Sequence, residues 1–292
     1  MYMTHIINGK KISHKILKEI EEEIIHYSHI GKPGLAVIQI GNRSDSTIYI
    51  RKKAEACKLV GIESKIYNFE TTVSINEVCS LLFRLNNDDD VNGILVQLPI
   101  PDHLNNEEIL SKISYRKDVD GFHVRNIGSL AMSGRTPYFV PCTPLGCLEL
   151  LKQYNITIEG KHAVIVGKSN IVGLPMSLLL LKNQATVTIC HSETKDIVNH
   201  LKTADIVVSA CGCPRMIKKE WLKEGVVVID VGINSIPDST RKRGYRLVGD
   251  VDFENVKEIA SAITPVPGGV GPMTVAMLLR NTLDGFKRQN CI

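Results

Sequence analysis

The sequence has few aromatic residues and little net charge, and both shortages exclude common classes of protein. Aromatic side chains make up 5% of the 292 residues, and Trp occurs once. Proteins hold single-stranded nucleic acids largely by stacking bases on aromatic rings, so such a role is not expected. The 35 Lys and Arg residues exceed the 31 Asp and Glu residues by four, which is too small an excess for a nucleic-acid-binding surface. We therefore expect no nucleic-acid partner.

The sequence also lacks a long apolar run, a secretory leader and a metal-binding cysteine pattern. No stretch approaches the ~20 apolar residues of a membrane-spanning helix, and the first ten residues contain no signal-peptide core. The eight cysteines include no Cys-x-x-Cys pair, and Cys211 and Cys213 have no second pair or nearby His. We expect no membrane association, no metal site, and cysteines that act as small buried hydrophobes in the cytoplasm.

Short apolar runs alternate with longer amphipathic stretches along nearly the whole chain. The runs are rich in β-branched residues and apolar at successive positions, which is typical of parallel strands covered by helices on both faces. This alternation predicts an α/β fold. The predicted strands are Leu35–Ile40, Gly93–Leu98, His162–Val166, Ala185–Ile189, Asp205–Ser209 and Val226–Asp230.

Three prolines within the eight residues Pro137–Pro144 interrupt the pattern and mark a predicted domain boundary. Thr143 and Pro144 have the residue types of a helix cap and first turn. The sequence predicts a first domain over residues 1–140 and a second over 141–271. A last helix, predicted from Thr274 to Lys287, is expected to bring residues 272–292 back to the first domain.

A glycine turn in the second half has the character of a dinucleotide-binding loop. Strand His162–Val166 runs into Gly167-Lys-Ser-Asn-Ile-Val-Gly173, which precedes a helical stretch. Such a turn lets backbone N–H groups and the positive end of a helix meet a phosphate. The spacing departs from Gly-x-Gly-x-x-Gly, because Ser169 stands at the second glycine position. A plain strand–helix turn is the alternative.

The residues after the second strand of this half bear on the choice between NAD and NADP. An acidic residue there would bind the ribose hydroxyls and repel a 2′-phosphate, but the strand ends in Cys190-His-Ser192. Lys168 can supply positive charge and Ser192 a hydroxyl donor. This pattern favours NADP, with a solvated loop lysine as the alternative for Lys168.

The first half carries polar residues that fit a binding or catalytic site. Tyr49 and Lys53 are four residues apart on a predicted helix and therefore share a face. Gln97 lies near the end of an apolar strand, the rim where α/β proteins form sites. Asp120 lies in Lys117-Asp-Val-Asp-Gly121. Each has an ordinary alternative, because Lys53 belongs to a charge run typical of a solvated helix face and Asp120 precedes a turn glycine.

Taken together, these segments resemble the bifunctional methylenetetrahydrofolate dehydrogenase/cyclohydrolase family. The resemblance covers essentially the whole chain, and the block from Pro267 to Thr274 is its most specific part. The matching segments, in order, are Gly41-Asn-Arg43 with Ser46, Tyr49 and Lys53, Leu95–Pro99, Lys117–Gly121, Pro141–Pro144, Gly167–Gly173, Asp230–Asn234, Val248–Val251 and Thr264–Thr274.

The resemblance implies a fold, a function and a set of site residues. It implies two α/β domains with a cleft between them, a folate-binding domain and a Rossmann-like NADP-binding domain, in a homodimer joined through the cofactor domains. Lys53 would transfer protons, with Gln97 as its hydrogen-bonding partner, while Tyr49 and Asp120 orient and anchor the folate. The other implied substrate contacts are Ser46, Leu98, Pro267, Gly268 and Gly269. The implied cofactor contacts are Gly167, Lys168, Ser169, Ser192 and Ile233.

The implied chemistry oxidises 5,10-methylenetetrahydrofolate with NADP and then hydrolyses the methenyl product to 10-formyltetrahydrofolate. The dehydrogenase step needs mainly alignment with the nicotinamide, whereas the hydrolysis step moves protons. Many relatives have Arg where this chain has Lys168, and Lys keeps the charge but loses the bidentate fork. Two alternatives are another nicotinamide-dependent dehydrogenase of a small acid and a non-catalytic folate-binding protein. The joint presence of Lys53, Gln97 and Asp120 argues against the second.

Overall fold

A computed structural model describes residues 4–241 and 244–292, apart from the side chains of residues 44 and 45. Strands and helices alternate along the chain, as predicted. The strands are β1 (His5–Ile6), β2 (Gly34–Ile40), β3 (Glu63–Phe69), β4 (Gly93–Val96), β5 (His162–Val166), β6 (Thr186–Cys190), β7 (Ile206–Ser209), β8 (Val227–Asp230), β9 (Asn234–Pro237), β10 (Tyr245–Val248) and β11 (Ala262–Ile263).

Helices occupy much of the remaining chain. They are α1 (Gly9–His26), α2 (Ser44–Val60), α3 (Ile75–Asn86), α4 (Asn106–Ser111), α5 (Val124–Ala131), α6 (Cys142–Gln153), α7 (Gly173–Lys182), α8 (Ile197–Lys202), α9 (Phe253–Val256) and α10 (Val270–Gln289), with a 3₁₀ turn at Lys219–Trp221. Within the described ranges, no helix combines the length and apolar character that crossing a membrane requires.

The chain divides into two compact units. The first, here called the six-stranded unit, contains the described residues up to Ser13 together with Thr143–Thr274. Its described strands form a parallel sheet in the order β1-β11-β8-β7-β5-β6 beside an antiparallel hairpin of β9 and β10. Strands β7 and β8 are buried along their whole length, because helices cover a parallel sheet on both faces. This is the predicted Rossmann-like domain.

The second unit, here called the three-stranded unit, contains His14–Cys142 and Val275–Ile292. Its strands are parallel, in the order β3-β2-β4. Strand β2 is buried at every residue, and its apolar side chains pack with those of β4, α3 and α4 in one core. Representative core residues are Ile38, Leu82, Ile94, Val96 and Ile109.

Helix α10 begins in the six-stranded unit and continues in the three-stranded unit from Val275 onward. In the latter, the side chain of Asn281 donates hydrogen bonds to the carbonyl oxygens of Val119 and Val140. Arg280 and Lys287 pair with Glu23 of α1. The prediction that the last helix returns to the first domain is therefore confirmed.

Some predicted boundaries and environments were wrong. Helix α10 begins at Val270, not Thr274, because a proline such as Pro272 is tolerated in the first turn, where backbone N–H groups lack helical partners. Strand β4 ends at Val96, two residues earlier than predicted. Not every cysteine is buried: all eight are free thiols, but Cys213 and Cys291 are exposed. Cys291 has a positive φ, and Cys213 follows Gly212, which has one too. Such backbone conformations are expected in surface turns.

Candidate active site

The three-stranded unit brings Lys53 and Gln97 together. The Nζ atom of Lys53 donates a hydrogen bond to Oε1 of Gln97 over 3.0 Å. Lys53 is only 9% exposed, whereas its neighbours Arg51 and Lys52 are exposed. The charge run is therefore not a uniformly solvated face, because one helical position turns inward. Gln97 is held in turn, since its Nε2 donates to the carbonyl oxygen of Leu98 at 2.8 Å.

Asp120 lies beside this pair at the end of a loop that runs along β4. The backbone N–H of Ile94 donates to the carbonyl oxygen of Lys117 at 2.7 Å, which fixes the start of the loop. Burial raises the pKa of Asp120 to about 6, against the opposing field of the Lys53 ammonium. That field shows that the two side chains are close. A carboxylate, an amide and an ammonium thus converge, as the sequence led us to expect.

Asp118 supports the same loop, and sequence reasoning did not single it out. Its Oδ2 accepts hydrogen bonds from the backbone N–H of His123 at 2.8 Å and from Nδ2 of Asn126 at 3.0 Å. Burial, followed by a smaller contribution from the charge of Asp120, raises the pKa of Asp118 to about 7. A second acid two residues before Asp120 was the available signal in the sequence.

The remaining predicted residues of this unit differ in exposure. Tyr49 is 38% exposed, and the Lys52 ammonium lies 5.9 Å from its ring centroid. Its ring therefore presents a face to which a flat ligand can bind. Ser46 is 6% exposed, and Leu98 is half-buried against the core. Because little of either side chain is exposed, each can shape the wall of a site but offers little surface to a ligand.

Cys142 and Asn281 close the inner side of the Asp120 loop. The thiol of Cys142 donates to the carbonyl oxygen of Val119 at 3.2 Å and lies 4.0 Å from Oδ1 of Asp120. Burial raises the pKa of this thiol well above its ordinary value, so the thiol stays protonated. Asn281 binds both Val119 and Cys142. Nothing in the local sequence pointed to Asn281, because its role depends on the return of α10.

In the six-stranded unit, the glycine turn follows β5 at the point where the strand order reverses. β6 lies on one side of β5 and β7 on the other, which is where doubly wound sheets bind ligands. Gly167 has a φ of +125°, and a Cβ there would lie 2.3 Å from the carbonyl oxygen of Ala210. A Cβ on Gly173 would lie 2.1 Å from the carbonyl oxygen of Gly167. The two glycines therefore let helix α7 approach the strand end closely.

The hydroxyl of Ser169 accepts hydrogen bonds from two backbone N–H groups at the N-terminus of α7. It accepts hydrogen bonds from the backbone N–H groups of Val172 at 3.2 Å and Gly173 at 3.4 Å. These two groups are therefore already partnered by the loop. Lys168 and Ser192 are exposed at the carboxyl ends of β5 and β6. A 2′-phosphate would therefore be bound mainly by these side chains rather than by backbone N–H groups at the start of α7.

Two buried acids, Asp230 and Asp250, organise the neighbouring strand ends. Asp230 accepts from the backbone N–H groups of Gly232, Asp250 and Val251 at 2.9–3.0 Å. Asp250 accepts from the backbone N–H groups of Cys211 and Gly212 and from Nδ2 of Asn234 at 2.8–3.1 Å. Burial raises the pKa of Asp230 to about 7. Both lay in matched segments, but no role was predicted for either.

Ile233 and the Pro267–Gly269 segment complete the predicted set. Ile233 follows the Asp230 turn and is 46% exposed, so it offers an apolar surface. Pro267 is exposed, whereas Gly269 is buried. A Cβ on Gly269 would lie 2.7 Å from the carbonyl oxygen of Pro265 and 2.8 Å from Cβ of Thr264. This close packing gives Gly269 a structural reason to be glycine, apart from any ligand.

The residues present fit a nicotinamide dinucleotide. A close strand–helix turn, an exposed ammonium, an exposed hydroxyl and an exposed apolar side chain lie at the carboxyl ends of parallel strands. No group of three or more His, Cys, Asp or Glu residues within residues 4–241 and 244–292 is arranged to hold a metal ion.

The chain is similar to known folate enzymes along its whole length. It is 57% identical to the bifunctional protein FolD 2 of Arabidopsis thaliana over 97% of this chain and 95% of that protein. It is 53% identical to the chloroplastic bifunctional protein FolD 4 of the same plant, over 97% and 79%. The crystal structure of the Trypanosoma brucei methylenetetrahydrofolate dehydrogenase-cyclohydrolase, complexed with NADP and an inhibitor, superposes with a TM-score of 0.96 at 41% identity and full coverage of both chains.

Two family descriptions match separate parts of the chain. Residues 7–120 match the tetrahydrofolate dehydrogenase/cyclohydrolase catalytic domain. Residues 141–290 match the NAD(P)-binding domain of the same family. Since both domains match in order and the relatives agree over the full length, the chain belongs to the tetrahydrofolate dehydrogenase/cyclohydrolase family.

Proposed function

We propose that this chain oxidises 5,10-methylenetetrahydrofolate to 5,10-methenyltetrahydrofolate with NADP and hydrolyses the product to 10-formyltetrahydrofolate. The observation that carries the proposal is the hydrogen bond at 3.0 Å between the buried Lys53 and the half-buried Gln97, beside Asp120. It supports a role for Lys53 as a proton carrier, and the relatives named above are bifunctional folate enzymes. Both matching family descriptions name a tetrahydrofolate dehydrogenase/cyclohydrolase, which supports the folate activity over a small-acid dehydrogenase or a non-catalytic role.

The roles of the individual residues follow from their chemistry. NADP, when bound, accepts the hydride. Lys53 holds and moves the proton that hydrolysis of the methenyl group requires, and Gln97 fixes the direction of its ammonium. Asp120 accepts hydrogen bonds from the donor edge of the pterin, and Tyr49 packs on the folate. Gly167, Lys168, Ser169, Ser192 and Ile233 contact the cofactor, while Ser46, Leu98, Pro267, Gly268 and Gly269 shape the substrate site.

An absorbance assay tests both activities. Purified protein is mixed with methylenetetrahydrofolate and either NADP or NAD, and reduced cofactor and methenyl product are followed together. We expect reduced cofactor to appear with NADP and the methenyl absorbance to decay faster than in buffer. Turnover of a hydroxy acid without folate turnover would contradict the proposal. Methenyl decay at the buffer rate would contradict its hydrolase half.

Three further features are part of the proposal. The protein forms a homodimer through its six-stranded units, which sedimentation equilibrium would test. It acts in the cytoplasm; because relatives include a chloroplastic protein, microscopy of a fluorescent fusion decides this. It supplies formyl groups to purine biosynthesis, so cells lacking it should need added purine. A monomer, an organellar signal or purine-independent growth would each contradict the corresponding part.

A further inference from the structure

A cavity of about 320 Å³ in the three-stranded unit lies outside the predicted site. Its walls come from the segment before Asp120, from helix α5, from the loop that follows α5 and from the end of α10. The lining residues that matter here are Tyr115, Arg125, Asn126, Thr136, Tyr138 and Arg288. We refer to it as the arginine–tyrosine cavity.

The two arginines are held in place by aromatic rings. The guanidinium carbon of Arg125 lies 4.1 Å from the ring centroid of Tyr115, and that of Arg288 lies 4.6 Å from the ring of Tyr138. The two rings meet edge to face, with centroids 5.9 Å apart. A guanidinium stacked on a ring keeps its in-plane N–H donors available for an oxyanion. Nη1 of Arg288 also donates to the carbonyl oxygen of Tyr138. The stacks therefore fix both guanidinium groups, and the donors of Arg125 and the remaining donors of Arg288 can face an oxyanion.

The positive charge of the cavity has no acidic counterpart in its walls. None of the described lining residues is acidic, and no acidic partner within 4.0 Å is found for Arg125 or Arg288 in the described part of the chain. Arg280 of the same helix, in contrast, pairs with Glu23. Arg116 does not line the cavity, but it donates from Nε to the hydroxyl of the lining residue Tyr115 at 3.0 Å and so adds positive charge nearby. The cavity thus suits a small dianion.

The chemistry of the lining favours a phosphate group. The guanidinium groups of Arg125 and Arg288 together with the hydroxyl of Thr136 offer donors from different elements, which suits a tetrahedral oxyanion. A guanidinium group lies against a face of each tyrosine ring, which leaves less ring surface on which a base could stack. The volume also suits a group of a few heavy atoms more than a whole dinucleotide.

One wall residue connects the cavity to the Asp120 loop. Asn126 is 1% exposed. Its Nδ2 donates to Oδ2 of Asp118 at 3.0 Å, and its Oδ1 accepts from the backbone N–H of Tyr138 at 3.1 Å. An anion that pulls Arg288 or Tyr138 into the cavity therefore shifts the side-chain amide of Asn126. The same amide holds Asp118, which lies two residues before Asp120.

We propose that the arginine–tyrosine cavity binds a phosphate group, either inorganic phosphate or a phosphomonoester, and that its occupancy changes folate affinity through Asn126 and Asp118. The binding step is independent of the proposed function, whereas the effect on folate rests on it. Because phosphate binding is measured without folate, failure of one is distinguished from failure of the other.

Calorimetric titration with inorganic phosphate tests the binding step at constant ionic strength. NADP is present at saturation, so that the cofactor's own phosphate site is filled. We expect saturable binding at one site in the unmodified protein and a loss of about tenfold or more in Arg125→Gln, since a charged hydrogen-bond donor is removed. Arg125→Lys keeps the charge but loses the fork, so its affinity should lie between the two.

Arg84→Gln is the matched control, because Arg84 is an exposed arginine of the same unit that does not line the cavity. It should bind phosphate as the unmodified protein does. Absence of binding, or equal losses in Arg84→Gln and Arg125→Gln, would overturn the proposal. Titration with glycerol phosphate distinguishes the source: tighter binding than phosphate identifies a phosphomonoester ligand, and weaker binding identifies free phosphate.

The second step is measured as the KM for methylenetetrahydrofolate with and without phosphate. We expect a change in the unmodified enzyme and in Arg84→Gln, and none in Arg125→Gln. A phosphate site that binds without moving this KM would overturn the coupling through Asn126 while leaving the binding site intact.

Discussion

The ammonium of Lys53 donates to the amide oxygen of Gln97 at 3.0 Å, although 44 residues separate the two in sequence. β4 pairs with β2, and α2 is tied to β2 by the hydrogen bond from Nε2 of Gln39 to the hydroxyl of Thr47. The buried Lys53 of α2 can therefore reach Gln97 just after β4. The lysine is therefore nearly buried, and Gln97 directs its ammonium group. This relationship underlies the first prediction.

Lys53→Met should abolish most of the cyclohydrolase activity. Methionine keeps the length of the side chain but carries no proton, and loss of a positioned acid–base group typically costs ~10²–10⁴-fold. The dehydrogenase step should suffer less, because it depends mainly on alignment. Initial rates of methenyl decay and of reduced cofactor formation measure both. Lys58→Met, an exposed lysine on the same helix, is the control, and near-normal hydrolysis by folded Lys53→Met would refute the assignment.

Asp120→Ala should weaken folate binding much more than cofactor binding. The carboxylate makes charge-assisted hydrogen bonds with pterin donors, and its loss leaves those donors unpaired at a cost of ~1–3 kcal/mol or more. Equilibrium titration with folate and with NADP compares the two affinities. Since Asp120 also borders a turn glycine, the melting temperature is measured alongside. Unchanged folate affinity with a lower melting temperature would show that Asp120 shapes the turn only.

The free energy of unfolding should fall as pH rises from about 4 to about 7. Burial raises the pKa of Asp118 to about 7 and that of Asp120 to about 6. The native state therefore binds more protons than the unfolded state in this window, and deprotonation works against folding. Asp118→Asn, which keeps an oxygen acceptor, should reduce the slope. Urea unfolding at several pH values measures it; an equally steep fall in Asp118→Asn would contradict the role given to Asp118.

Lys168→Ala should raise the KM for NADP and leave that for NAD nearly unchanged. Lys168 is exposed at the end of β5, and a charged hydrogen bond to a 2′-phosphate contributes ~1.5–3 kcal/mol, or roughly 10- to 150-fold. Lysine lacks the arginine fork, so the lower part of this range is expected. Lys168→Glu should reverse the preference. The measurement is kcat/KM for both cofactors, with Lys161→Ala as control; equal values in the unmodified enzyme would refute the preference.

Gly232→Ala should destabilise the six-stranded unit. A Cβ at Gly232 would lie 2.2 Å from Oδ1 of Asp250, so the methyl group would displace a buried carboxylate that holds three strand-end segments. Loss of such buried hydrogen bonds costs ~1–3 kcal/mol for each group left unpaired. Thermal unfolding measures the effect. Gly128→Ala, in helix α5 with free space around it, should be neutral or stabilising, and equal melting temperatures for the two variants would contradict this prediction.

The sequence by itself determined the fold class, the strand positions and the family. Strand β5 was predicted at its observed bounds, and β2, β6, β7 and β8 within one residue. These segments are buried parallel strands, so their apolar runs reflect local side-chain requirements that do not depend on distant partners. The glycine turn is equally local, because Gly167 and Gly173 must lack a Cβ for the strand–helix turn to close.

Only the tertiary structure decided which polar residues are buried and what they bind. The run Arg51-Lys52-Lys53 has three similar charges, and the packing of α2 alone turned Lys53 inward. Asn281 and Asp250 gave no local signal, because each bonds to segments far away in sequence. Arg288 reaches the ring of Tyr138 only because α10 returns to the three-stranded unit. Periodicity reports which face of an element is apolar, whereas the partner of a buried polar group is set by long-range contacts that no local pattern encodes.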